Sequence, residues 1–154
     1  MDYFLSPPSA RSVEQRLIDV LAASDAVRSS VAYATALGTA VNVAVVDVSG
    51  ALVAFLRMPG APLHSIDIAI DKAYTAASFG LPTSQWHAAL QEHSAAVREG
   101  IVLRPRFVAF GGGLPILEQG LRIGGIGVSG GSEQQDEAIA QAGLKAIGLA
   151  SPQT

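Results

Sequence analysis

Two hairpin signals, well separated along the chain, most constrain what this sequence can fold into. In the first, the runs VNVAVVDV and ALVAFLRM are joined by Ser49-Gly50; in the second, LPILE and LRIGGIGVS flank Gln119-Gly120. Short glycine-containing connections between apolar, β-branched runs are typical of β-hairpins. Because the two strands of a hairpin are antiparallel, we expect an antiparallel sheet built from two hairpins.

Helical signals occupy the segments around these hairpins. Capping boxes begin at Ser12 and Ser132, and Gly38 and Gly80 end apolar patterns of helical spacing. The predicted helices cover residues 12 to about 38, 65–79, 83 or 84 to 100, and 132 to about 147. The order α-ββ-α-α-ββ-α predicts an α+β fold with helices packed on the sheet. We expect a single domain over residues 1–154, with tails at 1–11 and 149–154.

The charge balance excludes several classes of partner. The formal net charge is −3, only 15% of the residues are charged, and no basic cluster occurs, which argues against nucleic acid and anionic membranes. No apolar run has the roughly 20 residues that a membrane helix needs, so we expect a cytoplasmic protein. Because so few charges cover the surface, we also expect a homo-oligomer.

A metal centre is not expected. The chain has no cysteine, which excludes disulfides and thiolate ligands. His87 and His93 are six residues apart on one predicted helix, whereas helical metal ligands normally lie three or four residues apart. Trp86, beside them, is predicted to belong to the core or to an interface.

The segment from Gly125 to Gly130 matches the dinucleotide-binding pattern GxGxxG. That pattern requires a helix, a further parallel strand and an acidic residue about 20 positions beyond the turn. The residues after Gly130 form one predicted helix and a short tail, so a dinucleotide site is excluded. Acidic residues in the first turn of that helix also disfavour a bound phosphate. The glycines are predicted to admit a helix or another subunit close to the strand.

Three segments taken together resemble the GlcG/HbpS-like family of haem-binding or haem-degrading domains, which includes the C-terminal domain of PduO-type corrinoid adenosyltransferases. They are AVVDVSGALVAFLRMPGAP, SIDIAIDKAYTAASFG and FVAFGGGLPI…GGIGVSGGSEQQDEAIAQAGL. The resemblance implies a profilin-like αβα sandwich, in which helices flank both faces of an antiparallel sheet, and an oligomeric assembly. It also implies haem or another small planar ligand in some members. Some members are thought to ligate haem iron through a histidine of the first helix, and this chain has none there.

Three residues are candidates for chemistry. His64 lies at the start of a predicted helix, where the helix dipole favours a neutral imidazole that can serve as a base or a ligand. Lys72 lies two turns further along and is predicted to stand at the edge of the apolar face. Arg57, at the end of the second strand, can clamp a carboxylate. Each also has an ordinary interpretation, as a helix-capping or surface side chain.

A ligand pocket is predicted between the Lys72 helix and the glycine-rich segment FGGGLP. Consecutive glycines permit close approach of a ligand, or expose backbone amides to an oxyanion, although a tight structural crossover explains them equally well. On the helix, one stripe of side chains is expected to face this pocket. The predicted ligand-binding residues are Ser65, Thr75, Phe79, Phe110, Gly111, Gly112, Gly113 and Pro115.

Two functional hypotheses follow, with a purely structural domain as a third. The first is a small-molecule-binding protein, with haem as the ligand that the resemblance implies. The second is a cofactor-independent isomerase, tautomerase or lyase acting on a small organic acid from aromatic catabolism. In that enzyme His64 would be the base, Lys72 or Arg57 the electrophile, and the amides of Gly111–Gly113 the oxyanion donors.

Overall fold

The computed structural model describes residues 10–150, which form five α-helices and one four-stranded sheet. The helices are α1 (Val20–Leu37), α2 (Ser65–Phe79), α3 (Trp86–Leu90), α4 (Ala95–Ile101) and α5 (Glu133–Ala146). The strands are β1 (Asn42–Asp47), β2 (Leu52–Arg57), β3 (Gly113–Glu118) and β4 (Leu121–Ser129). Within this part of the chain, no helix has the length and apolar character needed to cross a membrane.

The sheet consists of the two predicted hairpins, joined side by side. Its strand order is β2-β1-β4-β3, and every neighbouring pair is antiparallel. In the second hairpin Gln119 and Gly120 both adopt left-handed backbone conformations, with φ of 52° and 78°. Positive φ at both central residues is typical of the tight turns that match the twist of a hairpin. Both hairpin predictions are confirmed.

Helices cover both faces of the sheet, because the side chains of β1 alternate between two apolar clusters. Val43 and Val45 pack with residues of α1 and α5 on one face, whereas Ala44 and Val46 pack against α2 on the other. The alternation follows from the two-residue period of a strand. The predicted α+β class, with an antiparallel sheet between two helical layers, is confirmed.

The glycines of β4 allow α2 to lie directly on the sheet. A Cβ atom at Gly127 would overlap the carbonyl oxygen of Ala69, and one at Gly125 would overlap that of Ala73. The facing surface of α2 is also made of small side chains, with Ala69, Ala73 and Ala77 buried. The glycines of the GxGxxG segment therefore allow close packing of a helix, which is one of the two roles predicted for them.

The N-terminus of α5 uses its backbone amides internally. The predicted capping box is present: the Ser132 hydroxyl accepts from the Gln135 amide, and the Gln135 side chain accepts from the Ser132 amide. Asp136 accepts a hydrogen bond from the Gly131 amide at 2.9 Å. These bonds satisfy donors that an anion at a helix N-terminus would otherwise need.

Two helix boundaries differ from the prediction. The first helix begins at Val20 and not at residue 12, because Asp19 accepts hydrogen bonds from the Leu21 and Ala22 amides and so caps it. The predicted third helix is broken into the 3-10 turn Thr83–Gln85, α3 and α4, since Ser94 starts a new helix by accepting from the Val97 amide.

The predicted tails fall mostly outside the described residues. Of the N-terminal tail at 1–11 only residues 10 and 11 are described, and of the C-terminal tail at 149–154 only residues 149 and 150. The latter two belong to the fold. The Leu149 amide donates to the Leu144 carbonyl oxygen, and Ala150 forms an isolated antiparallel bridge with Leu117.

Replacing Gly127 by Ala should destabilise the protein, because the added methyl group overlaps the backbone of α2. We expect the free energy of unfolding to fall by about 1–3 kcal/mol, the usual cost of overpacking a core. The matched control is Gly100→Ala in α4, where no atom lies within 4 Å of an added Cβ. That change should leave stability unchanged or raise it by up to about 1 kcal/mol. Urea unfolding of both variants measures the difference, and equal stabilities would contradict the close packing.

Candidate functional site

Lys72 is buried, which corrects the prediction that it stands at the edge of the apolar face. Its side chain is 1% exposed, and its ammonium group donates to Asp136 Oδ2 at 3.0 Å and to the Val128 carbonyl oxygen at 2.8 Å. The ring of Phe110 lies beside the ammonium, with its centroid 5.0 Å from Nζ. Lys72 therefore joins α2 to β4 and α5.

The electrostatics of this ion pair favour a structural role. Burial lowers the pKa of the Lys72 ammonium below its ordinary value, and the carboxylates of Asp136 and Glu133 oppose that shift. Asp136 is fully engaged as well, because its second oxygen accepts from the Gly131 amide. A buried charge with every nearby partner satisfied has little surface to offer a substrate.

The glycine-rich segment packs against this ion pair. A Cβ at Gly112 would lie 2.6 Å from Lys72 Nζ, and one at Gly113 would lie 2.5 Å from the Lys72 carbonyl oxygen. The Gly111 amide donates to Glu133 at 2.7 Å, and the Gly113 amide donates to Thr83 at 2.8 Å. Two of the three predicted oxyanion donors thus have partners within the chain. These contacts favour the structural crossover as the role of the glycines, and the ligand pocket stays a prediction.

The predicted stripe on α2 mostly faces protein. Thr75 donates its hydroxyl hydrogen to the Arg106 carbonyl oxygen at 2.9 Å and accepts from the Val108 amide at 3.1 Å, so it anchors the segment before β3. Ser65 is buried in the first turn of α2. Of the four stripe residues, Phe79 alone is half exposed, at the last turn.

Of the remaining ligand-binding candidates, Pro115 is buried within β3 and Phe110 is half exposed. Phe110 lies over the Lys72 ammonium. Pro115 therefore lies in the sheet, whereas Phe110 reaches the surface.

His64 and the turn that Arg57 binds lie at the N-terminal end of α2. Arg57 donates to the carbonyl oxygens of Ala61 at 2.7 Å and Pro62 at 3.5 Å, and so holds the turn that leads into α2. His64 follows this turn, is exposed, and makes no capping hydrogen bond with its side chain. Leu63, beside it, is 74% exposed. The turn before α2 therefore carries an exposed histidine and an exposed leucine, and the Arg57 guanidinium binds the backbone of the same turn.

The other two histidines lie apart from this end of α2. His87 is on α3, and His93 lies in the turn before α4, so the two do not share one helix as predicted. Across residues 10–150, no group of three or more His, Asp or Glu side chains is arranged to hold a metal ion.

Trp86 is 6% exposed and belongs to an aromatic cluster, in agreement with its predicted core position. The rings of Phe79 and Phe107 each pack edge-on against it at a centroid distance of 4.9 Å.

On the opposite side of the sheet, an open groove of about 260 Å³ lies between α1 and the edge strand β2. Its walls include Val20, Val27 and Leu56.

Sequence reasoning missed Asp136 as the partner of Lys72. A signal was present, because Asp136 shares the helical spacing of Ile139, Ala140 and Leu144, which are all buried on α5. An acid on the apolar face of one helix requires a cation from another element. Lys72, which lies among the alanines of α2, is that cation.

Comparison with known proteins decides the family. The family model of the haem-degrading protein HbpS-like matches residues 18–145. The chain belongs to the HbpS-like family. This HbpS-like chain is 35% identical over 126 residues to the corrinoid adenosyltransferase PduO of Citrobacter freundii. The match covers 82% of this chain but 38% of that relative, so the chain spans well under half of the adenosyltransferase.

Two solved structures share the HbpS-like fold over their whole length. The ORFY protein of Klebsiella pneumoniae superposes on this chain with a TM-score of 0.84 and 31% sequence identity. The match covers 92% of this chain and 98% of the ORFY chain. A complex of PduOC with haem has a TM-score of 0.81 and 34% identity, covering 89% of this chain and 99% of its own. The family resemblance seen in the sequence is confirmed.

Replacing Lys72 by Met should be strongly destabilising, because it leaves the Asp136 carboxylate buried without its cation. We expect the free energy of unfolding to fall by about 3–5 kcal/mol, and the double variant K72M/D136L to recover most of that loss. Lys145→Met, at an exposed position in the last turn of α5, is the matched control and should change stability by less than about 0.5 kcal/mol. Chemical denaturation of the four proteins provides the measurement. A K72M variant as stable as K145M would show that the ion pair contributes little.

Proposed function

We propose that this HbpS-like chain binds a small planar ligand of the haem class. The observation that supports the proposal most is the solved complex of PduOC with haem. The PduOC chain is 34% identical in sequence to this one, and the match covers 99% of its length. The family description, a haem-degrading protein, agrees with it. The enzyme hypothesis gains no comparable support, since Lys72 is buried and two of the three amides assigned to the oxyanion already have partners.

The residues at the start of α2 fit such a ligand. Haem in proteins needs an axial ligand, commonly a histidine, together with apolar contacts and polar groups that fix its orientation. His64 offers an exposed imidazole, Leu63 an exposed apolar side chain, and Arg57 a cation for a propionate. When bound, haem would supply a redox-active iron. The part that this chain contributes is to hold that iron and orient the ring.

The ligand must be held differently from relatives that use the first helix, because α1 contains no histidine. Tyr33 is the residue of α1 that can ligate haem iron, and its side chain is 41% exposed. Tyr33 is therefore the second candidate axial ligand, to be compared with His64. We assign the iron to His64, because it is an exposed histidine that follows an exposed leucine in the turn that Arg57 binds.

Hemin titration followed by absorption spectroscopy tests this function. We expect a saturable shift of the Soret band relative to free hemin in the wild-type chain. His64→Ala should lose most of that shift, whereas His87→Ala, His93→Ala and Tyr33→Phe should retain it. Since the sequence has three histidines, these variants cover every imidazole.

Two outcomes of this titration would contradict different parts of the proposal. A wild-type spectrum identical to that of free hemin rules out haem binding. A retained shift in His64→Ala, with loss in another variant, keeps haem binding but moves the axial ligand to that other residue.

We also propose that the chain forms a homo-oligomer. Large apolar side chains are exposed on several elements, including Leu21 at 71%, Leu63 at 74% and Leu103 at 81%. A surface with so few charges and so many exposed apolar side chains favours self-association. Light scattering coupled to size-exclusion chromatography should give a mass at least twice that of the monomer, and a monomeric mass at all concentrations would contradict the proposal.

A further inference from the structure

The indole N–H of Trp86 lacks a hydrogen-bond partner. Within residues 10–150, Trp86 Nε1 is the one buried side-chain nitrogen or oxygen that has no hydrogen-bond partner. An indole N–H can only donate, and a buried tryptophan usually finds an acceptor for it. A buried donor without a partner calls for a specific explanation, of which a bound acceptor is one.

The rings around Trp86 reach the surface. Phe79 packs edge-on against the indole at 4.9 Å and is 50% exposed. Phe107 packs edge-on against both rings, at 4.9 Å from Trp86 and 6.0 Å from Phe79. Phe79 therefore connects the buried indole to solvent. Its exposed face can stack on another aromatic ring.

A guanidinium group lies next to this aromatic cluster. The Arg122 side chain lies against Gly80, the residue after Phe79, so closely that a Cβ at Gly80 would overlap Nη1. Across residues 10–150, the Arg122 side chain makes no hydrogen bond or ion pair with another residue. A guanidinium is well suited to a carboxylate, which it can bind through two parallel hydrogen bonds.

We propose that Phe79, Trp86 and Arg122 form a binding site for a small aromatic carboxylate. Arg122 pairs with the carboxylate, the Trp86 N–H donates to one of its oxygens, and the ligand's ring stacks on Phe79. The ligand class follows from the donor set, since a buried N–H and a guanidinium both require an acceptor and the surrounding surface is aromatic.

This site is separate from the one that we propose for haem. It lies at the C-terminal end of α2, whereas His64 precedes the N-terminal end. With a rise of 1.5 Å per residue, the 15 residues of α2 separate the two by roughly 20 Å. Failure of hemin to bind therefore leaves this proposal intact, and the reverse also holds.

The single tryptophan of the chain makes the test direct. Uniformly 15N-labelled protein has one indole cross-peak, which should move progressively downfield in the proton dimension as benzoate is added and its N–H gains an acceptor. Trp86 fluorescence should change with the same saturation curve. Benzamide, which has the ring but no charge, is the control probe, and it should bind at least ten-fold more weakly.

Two variants assign the contacts. Arg122→Gln should weaken benzoate binding at least ten-fold, whereas Arg28→Gln, on exposed α1, should bind as the wild type does. Phe79→Leu should weaken binding of benzoate and benzamide alike, because both lose the stacking ring. Since Arg122 and Arg28 are both exposed, these two variants should fold normally, and circular dichroism checks this.

The proposal is overturned if the indole cross-peak does not move at saturating benzoate, an outcome that favours a trapped water molecule as the acceptor. It is also overturned if Arg122→Gln and Arg28→Gln bind benzoate equally, or if benzamide binds as tightly as benzoate. Each of these results removes one of the contacts on which the site depends.

Discussion

The buried ion pair between Lys72 and Asp136 is the interaction on which the rest of the structure depends. It joins α2, on one face of the sheet, to α5, on the other, and Lys72 also binds the carbonyl oxygen of Val128 at the end of β4. Each charge is costly to bury alone, so the two helices must be in place together for either to be satisfied. The pair thereby fixes the relative positions of both helical layers around the sheet.

The segments that identify the family are, in this chain, mainly the parts that accommodate this pair. Gly125 and Gly127 let α2 lie on the sheet, and Gly112 and Gly113 leave room for Lys72 itself. These glycines therefore have a packing role. The two sites that we propose lie instead at the two ends of α2, with His64 at one end and the Phe79 ring beside Trp86 at the other.

Most local features of the fold could be predicted from the sequence, and its long-range contacts could not. The hairpin at Gln119-Gly120, the capping box at Ser132 and the limits of α2 depend on residues close in sequence, so their patterns are visible. The ion pair joins residues 64 positions apart. Helical spacing marks Asp136 as an acid on a buried face, but it does not by itself bring that acid to Lys72. The start of α1 was misplaced because Val13 and Leu17 follow helical spacing yet are exposed, while Asp19 provides the actual cap.

The central claim is that the buried Lys72–Asp136 pair belongs to the packing of the fold and takes no part in ligand binding, which we propose occurs elsewhere. The most direct test is a hemin titration of K72M/D136L, in which apolar side chains replace both charges and leave no buried ion unpaired. The account predicts that this variant unfolds cooperatively and shows the same Soret shift and midpoint as the wild type. A folded K72M/D136L protein that loses a Soret shift present in the wild type would contradict it and place the ion pair within the binding site.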